Sequence, residues 1–215
     1  MKKTLLAVLL ISPISATAAP YIGLEYGFGS VDHDYEPQFS ADNVTLNPDL
    51  EENFTGILVG YAFNDTWAIE LGYQQYELED SRSSNLGVVD RNGQNYTHEM
   101  DWDSSIKAKQ FSLTPVYTFA MNDKWSLKLK AGVTYTEYKS NASKSEELEL
   151  VTNDDVEINN SLSYQAASTK EWGGLVAVGT EYKVLPQLSV GANVKYQIDS
   201  FANAASLNVS TAYYF

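Results

Sequence analysis

The chain has 215 residues, no cysteine, 28 acidic against 14 basic residues and a formal net charge of −14. That balance argues against nucleic acid and heparin-like polyanions as partners, since phosphates and sulfates need Lys and Arg. It suits cations or basic partners, and the length beyond any leader fits one domain.

Residues 1–18 read as a secretory leader. Lys2 and Lys3 form a charged start, Leu5 to Ile11 an unbroken apolar run, and Ala16-Thr17-Ala18 a small-residue cleavage site. The run falls short of the ~20 apolar residues a membrane helix needs. Cleavage there takes the charge from −14 to −16 and leaves a mature domain over 19–215.

Period-two segments then recur along the chain. Ile22, Leu24, Tyr26 and Phe28 alternate with Gly23, Glu25, Gly27 and Gly29. Similar alternation runs through 56–63, 67–74, 110–119, 125–135, 172–182 and 188–197. The last segment sets Leu207, Val209, Thr211, Tyr213 and Phe215 against Ser206, Asn208, Ser210, Ala212 and Tyr214. Each is apolar on one face and small or polar on the other, which is how a membrane barrel strand reads. Pro115 fits poorly, because proline removes a ladder hydrogen bond and a closed barrel has no free edge. A bulge there, or a shifted fourth strand, is expected.

A soluble sheet with one wet face alternates in the same way. Two features favour the membrane. The wet face is rich in Gly, Ala and Ser, as a narrow barrel interior requires. Aromatics sit at the ends of the apolar face: Trp67, Phe119, Trp125 and Tyr182 toward one rim, Tyr73, Phe111, Tyr135 and Trp172 toward the other. Such rings prefer membrane–water interfaces. A soluble barrel would hide its aromatics inside.

Connections alternate short and long, with long segments near 32–53, 77–107 and 137–170. This predicts an all-β, eight-stranded antiparallel transmembrane β-barrel with short periplasmic turns and long extracellular loops. Alternation inside the loops predicts that strands three to six continue above the membrane as hairpins. Asn92-Gly93 marks one turn. The other is placed at Thr152-Asn153-Asp154-Asp155, with Leu148 and Leu150 facing Val156 and Ile158.

The carriers of a family resemblance are Tyr21-Ile22-Gly23-Leu24-Glu25-Tyr26-Gly27, Gly60-Tyr61-Ala62-Phe63-Asn64-Asp65, Glu70-Leu71-Gly72-Tyr73 and Tyr213-Tyr214-Phe215. On these the chain resembles the small OmpA/OmpX-type outer-membrane barrels across 19–215. The resemblance implies a bacterial outer-membrane location, contact with membrane lipids and lipopolysaccharide, and a role in adhesion, colonisation or resistance to host factors. A monomer with no cofactor is expected.

Phasing turns Glu25, Glu70 and Glu181 inward with Lys128, Lys130 and Lys195, the last placed higher than the others. Buried charges need partners, so a paired network is expected. It reads as a plug, because eight strands leave an interior just wide enough for side chains. A gated ion path is the alternative.

Of the 28 acidic residues, 22 fall in or beside the long connections. Asn153, Asp154, Asp155 and Glu157 form the densest group and the candidate divalent-cation site, although no EF-hand pattern is present. Tyr96, Trp102, Tyr138 and Tyr164 are the aromatic candidates for contacts with a host-surface protein. Catalysis is not expected. The two histidines, His33 and His98, lie in loops, and neither stands beside a strand serine as a general base would.

Overall fold

The computed structural model describes residues 19–215, so the leader read over 1–18 lies outside the described residues. Eight antiparallel strands close into a barrel. They are β1 Ala19–His33, β2 Asp49–Ala62, β3 Trp67–Arg91, β4 Gln94–Ala120, β5 Trp125–Leu150, β6 Asn153–Lys183, β7 Leu188–Ile198 and β8 Ala202–Tyr214. Each pairs with its sequence neighbours, and β1 closes on β8 from Tyr21 opposite Tyr214 to His33 opposite Ala202. In the β1–β2 connection, Gln38–Phe39 and Val44–Thr45 form a small separate hairpin.

Burial fixes the polarity of the wall. Leu71, Val133 and Leu207 face outward at 62%, 50% and 56% exposure, while Thr136 and Asn208 face inward at 0%. A soluble barrel would show the reverse. The outer rings stack across neighbouring strands and bound the apolar belt at both rims. Trp67 meets Tyr117 at 5.1 Å and Trp125 meets Tyr182 at 4.9 Å near the short turns. Tyr73 meets Phe111 at 5.1 Å and Tyr135 meets Trp172 at 5.0 Å at the other rim.

Above that second rim the alternation keeps its phase but inverts its character. Gln74, Gln110 and Thr136 point inward at the level of the rim itself. Tyr76, Leu78, Ile106, Ala108 and Tyr138 continue the same inward parity above it and are buried. The outward positions become Glu77, Glu79, Lys107, Lys109, Glu137 and Lys139. Water has replaced hydrocarbon outside, so the outer face turns polar and the strands acquire an ordinary apolar core within.

Two of the three short turns share one device. Asn64 Oδ1 accepts from the backbone N–H of Thr66 and Trp67 at 2.9 and 2.8 Å, and Asn122 Oδ1 does the same for Lys124 and Trp125 at 3.0 and 2.9 Å. At the tip of β3–β4, Asn92 and Gly93 adopt φ of 56° and 80°. Both values lie in the left-handed region that a two-residue type I′ hairpin needs.

Two local expectations are corrected. Pro115 faces outward opposite Ile69 with no bulge. Toward β5 the ladder loses its bridges at Thr114 and Pro115 and resumes in the same register, with Leu113 opposite Val133 and Val116 opposite Lys130. The missing proline N–H is absorbed by a short gap rather than by a shift. The β5–β6 turn is Val151-Thr152, with Leu150 opposite Asn153. Leu148 does face Ile158, but a bulge intervenes before Leu150, so Val156 does not face it. A two-residue turn closes the hairpin, and the bulge takes up the remaining residues.

Candidate functional site

Period-two phasing sends one side chain in two into the lumen, and there the structure brings the six predicted charges together. Lys128 Nζ meets Glu181 Oε2 and Lys130 Nζ meets Glu70 Oε2, both at 2.6 Å, and Lys195 pairs with Glu25. Lys195, expected higher, reaches down to Glu25 while also donating to Gln74 Oε1 at 2.8 Å. Neutral groups complete the network. Tyr21 donates its hydroxyl to Glu70 Oε1 at 2.8 Å, Tyr214 to Glu181 Oε1 at 3.1 Å, and Asn193 its amide to Glu25 Oε2 at 3.1 Å. The Lys128 ammonium also lies 5.6 and 5.7 Å from the ring centres of Tyr21 and Tyr214. Sequence reasoning missed Tyr21, Gln74, Asn193 and Tyr214 as members, although their parity was the signal.

The charged layer is closed above and below. Toward the short turns Tyr21, Ala68, Val116 and Ala212 pack with Leu58 and Tyr214. Toward the long-loop rim Phe54, Tyr76, Leu78, Ile106 and Tyr138 pack with Val31, Tyr35 and Phe201. Between them lie two cavities of about 50 and 30 Å³. A water needs roughly 10–15 Å³, so each has room for a few waters.

Beyond the rim, β3 to β6 form a protruding four-stranded sheet, and the β1–β2 connection lies across its inner face. Val44 and Leu46 pack on Trp102 with Phe39 and Met100. Asp42 accepts from Lys144 at 2.6 Å and from the Trp102 indole at 3.2 Å, and Asn47 donates its backbone N–H to Asp80 at 2.7 Å. The Lys144 hydrogen bond holds the Asp42 carboxyl below the usual carboxylate range.

This packing corrects the aromatic candidates. Tyr96, Trp102 and Tyr138 are 7%, 5% and 2% exposed and are internal. Trp102 anchors the β1–β2 connection. Tyr138 stacks on Phe201 at 4.3 Å and donates to Asp199 at 2.8 Å. Tyr164 alone of the four is open, at 66%, with its hydroxyl on Asn141 at 3.0 Å.

Carboxylates crowd the outer face of the protruding sheet. Glu99 stands opposite Glu147, and Glu149 opposite Glu157. Burial first, then Glu157, Asp101, Glu99 and Glu149, push the Glu147 carboxyl up. Asp103 is raised by burial and by Asp101. In the candidate cation group Asn153 Oδ1 accepts from the Asp155 backbone at 3.2 Å, and the Asp154 side chain lies outside what the structure describes. Among the described residues no three acidic or imidazole side chains converge as a metal would require. His33 bonds the Pro48 carbonyl at 2.7 Å and His98 pairs with Glu146 at 2.8 Å.

Comparison with known proteins gives the family. The outer membrane protein beta-barrel domain matches residues 4–215. No curated protein matches the chain. Among solved structures, Neisserial surface protein A superposes with a TM-score of 0.54 at 14% identity, over 92% of this chain and 99% of that one. The attachment invasion locus protein Ail of Yersinia pestis gives 0.49 at 15% identity, over 92% and 97%. OprG of Pseudomonas aeruginosa gives 0.47 at 12% identity, over 93% and 96%. At these identities the likeness to Neisserial surface protein A speaks for the fold alone.

Proposed function

Because the chain belongs to the outer membrane protein beta-barrel domain family, we propose that its long-loop rim faces outward from the bacterial outer membrane. There its protruding sheet serves cell-surface interaction: adhesion, colonisation or resistance to host factors. The protein acts as a monomer without a cofactor, and no catalytic role is part of this reading.

The free edge of β6 supports the reading. Its contact with β7 ends at Gly174 opposite Ile198, so the stretch from 153 to 173 pairs with β5 only. From Ile158 to Thr169 this edge carries no charge. The other free edge, on β3 above the rim, is guarded by Asp80, Arg82, Asp90 and Arg91 and by a bulge between Asn85 and Gly87. Proteins commonly blunt exposed edges with such charges and bulges. A charge-free edge, interrupted by a single bulge at Leu162, suits strand addition along 163–169, in which a partner's extended segment supplies the missing hydrogen bonds. Tyr164 stands on this edge as an aromatic anchor.

The test compares attachment to host cells or matrix by cells displaying three forms: the intact barrel, a form with 84–102 and 146–158 cut to two-residue turns, and Leu162→Lys/Ala166→Lys. Heat-modifiable gel mobility checks that all three fold. Attachment by the intact barrel with loss in both variants is expected. No attachment by any form would move the function to the lumen and envelope. A structural envelope role is the second reading, supported by the layered plug.

A further inference from the structure

Basic side chains are scarce and unevenly placed. Setting aside Lys2 and Lys3, the 14 Lys and Arg leave twelve. Lys128, Lys130 and Lys195 are in the lumen, and Lys144 is held by Asp42. Lys124 and Lys183 stand at the short turns, and Arg82 and Arg91 on the protruding part of β3. The other four, Lys107, Lys109, Lys139 and Lys170, are all exposed on three adjacent strands just above the long-loop aromatic rim.

The register makes them a patch. Phe111, Tyr135 and Trp172 form one row of the rim. Two residues higher the row reads Lys109, Glu137, Lys170, and two higher again Lys107, Lys139, Ser168. Strands rising ~3.3 Å per residue and tilted ~40° set these rows about 5 and 10 Å above the rings. The lower row lies in the headgroup zone, which extends roughly 5–8 Å beyond the hydrocarbon, and the upper row stands just outside it, where a flexible lysine side chain reaches back to the headgroups. No Lys or Arg occurs at this level on β1, β2, β7 or β8, so the patch is one-sided.

Two observations point to an outside anion. Lys107 lies directly opposite Lys139 on the same face. Like charges so placed destabilise an antiparallel pair unless something neutralises them. Lys107 reaches Glu77 at 2.8 Å, but among the described residues Lys109, Lys139 and Lys170 form no ion pair, although acids outnumber bases in the chain.

We propose that the lysine patch on β4, β5 and β6 binds phosphate-bearing headgroups of the outer-leaflet glycolipid, with one phosphate bridging Lys107 and Lys139 and others on Lys109 and Lys170. Each such lysine near a charged surface contributes measurably to lipid attraction. The patch gives the barrel a preferred lipid-facing side, opposite the smooth wall of β1, β2 and β8. It rests on the outward orientation proposed above.

The test places the protein in nanodiscs with bisphosphorylated lipid A, dephosphorylated lipid A or phosphatidylcholine in both leaflets and counts retained lipid by native mass spectrometry. The wild type should retain the phosphorylated lipid alone, with retention falling as salt rises. Lys107→Gln/Lys109→Gln/Lys139→Gln/Lys170→Gln should lower it about tenfold or more, the four Arg substitutions should restore it, and Lys124→Gln/Lys183→Gln should leave it unchanged. Equal retention by the Gln variant, equal retention of dephosphorylated lipid, or displacement by millimolar inorganic phosphate would overturn the proposal. Both leaflets carry the same lipid, so the result does not depend on orientation. Labelling Asn92→Cys on intact cells with an impermeant thiol reagent tests orientation separately.

Discussion

Glu70 on β3 and Lys130 on β5 meet across the lumen at 2.6 Å, with the Tyr21 hydroxyl on the second carboxylate oxygen at 2.8 Å. The carboxylate is 6% exposed, so its partners replace water almost entirely. Lys130→Met alone leaves a buried charge without its cation and should cost about 3–5 kcal/mol. Lys130→Met with Glu70→Leu should recover most of that loss. Urea unfolding in micelles, followed by gel mobility, measures both.

Gly60 faces the ring of Tyr21, where an added Cβ would land on the ring atoms. The ring is 2% exposed and packs on Tyr214 at 4.8 Å, so it has nowhere to retreat. Gly60→Ala should destabilise by about 1–3 kcal/mol through overpacking. In a Tyr21→Ala background the same change should cost little, a non-additivity that a double-mutant cycle reads directly.

Removing the lumen cations should not open a channel. In Lys128→Gln/Lys130→Gln the apolar layers around Phe54 and Tyr76 above, and Tyr21 and Val116 below, remain in place. Planar bilayers are expected to show no conductance steps from the variant. Steps that appear only in the variant would revive the gated ion path.

Trp102→Ala should release the β1–β2 connection from the protruding sheet while the barrel stays folded. Truncating a buried aromatic costs about 3–5 kcal/mol, here spent locally on loop docking. Faster amide exchange and new protease cuts confined to 36–47 are expected.

Acid should act on the protruding sheet in two opposite steps. Asp42 is held low by Lys144, so its stabilisation is present above the ordinary carboxylate value and lost as pH falls through its lowered one. Glu147 and Asp103 are pushed up, so their ionisation costs stability at neutral pH and protonation relieves it. Exchange through 97–103 and 145–150, corrected for intrinsic rate, should slow as pH falls from neutral toward the ordinary carboxylate value of about 4, whereas 38–47 should lose protection only below that value.

The barrel was legible because a period of two is carried by each strand on its own. Glu25 and Lys195 lie far apart in sequence, yet parity alone turns both inward. The roles of Trp102 and Tyr138 were not legible in the same way. Above the rim the outside is water, and whether an aromatic there is a contact or a core residue depends on the β1–β2 connection, whose path no periodicity announces. The change from Gln74 to Tyr76 at one inward parity was the available signal, since a polar lumen position gives way to an apolar one where the solvent changes. Pro115 misled in the opposite sense. A lost donor suggested a bulge, whereas flanking pairs on both sides held the register.

The pairing of β1 with β8 also sets an order of events. Tyr21 opposite Tyr214 joins nearly the two ends of the described chain, whereas β3–β4 and β5–β6 zip outward from tight turns between neighbours in sequence. Contacts of long sequence separation form slowly, because the loop-closure entropy comes before any reward. On this ground the hairpins are expected to form early and the β1–β8 seam to seal last. Until then two unpaired strand edges lie open, and that interval is when the chain is most exposed to edge-to-edge aggregation.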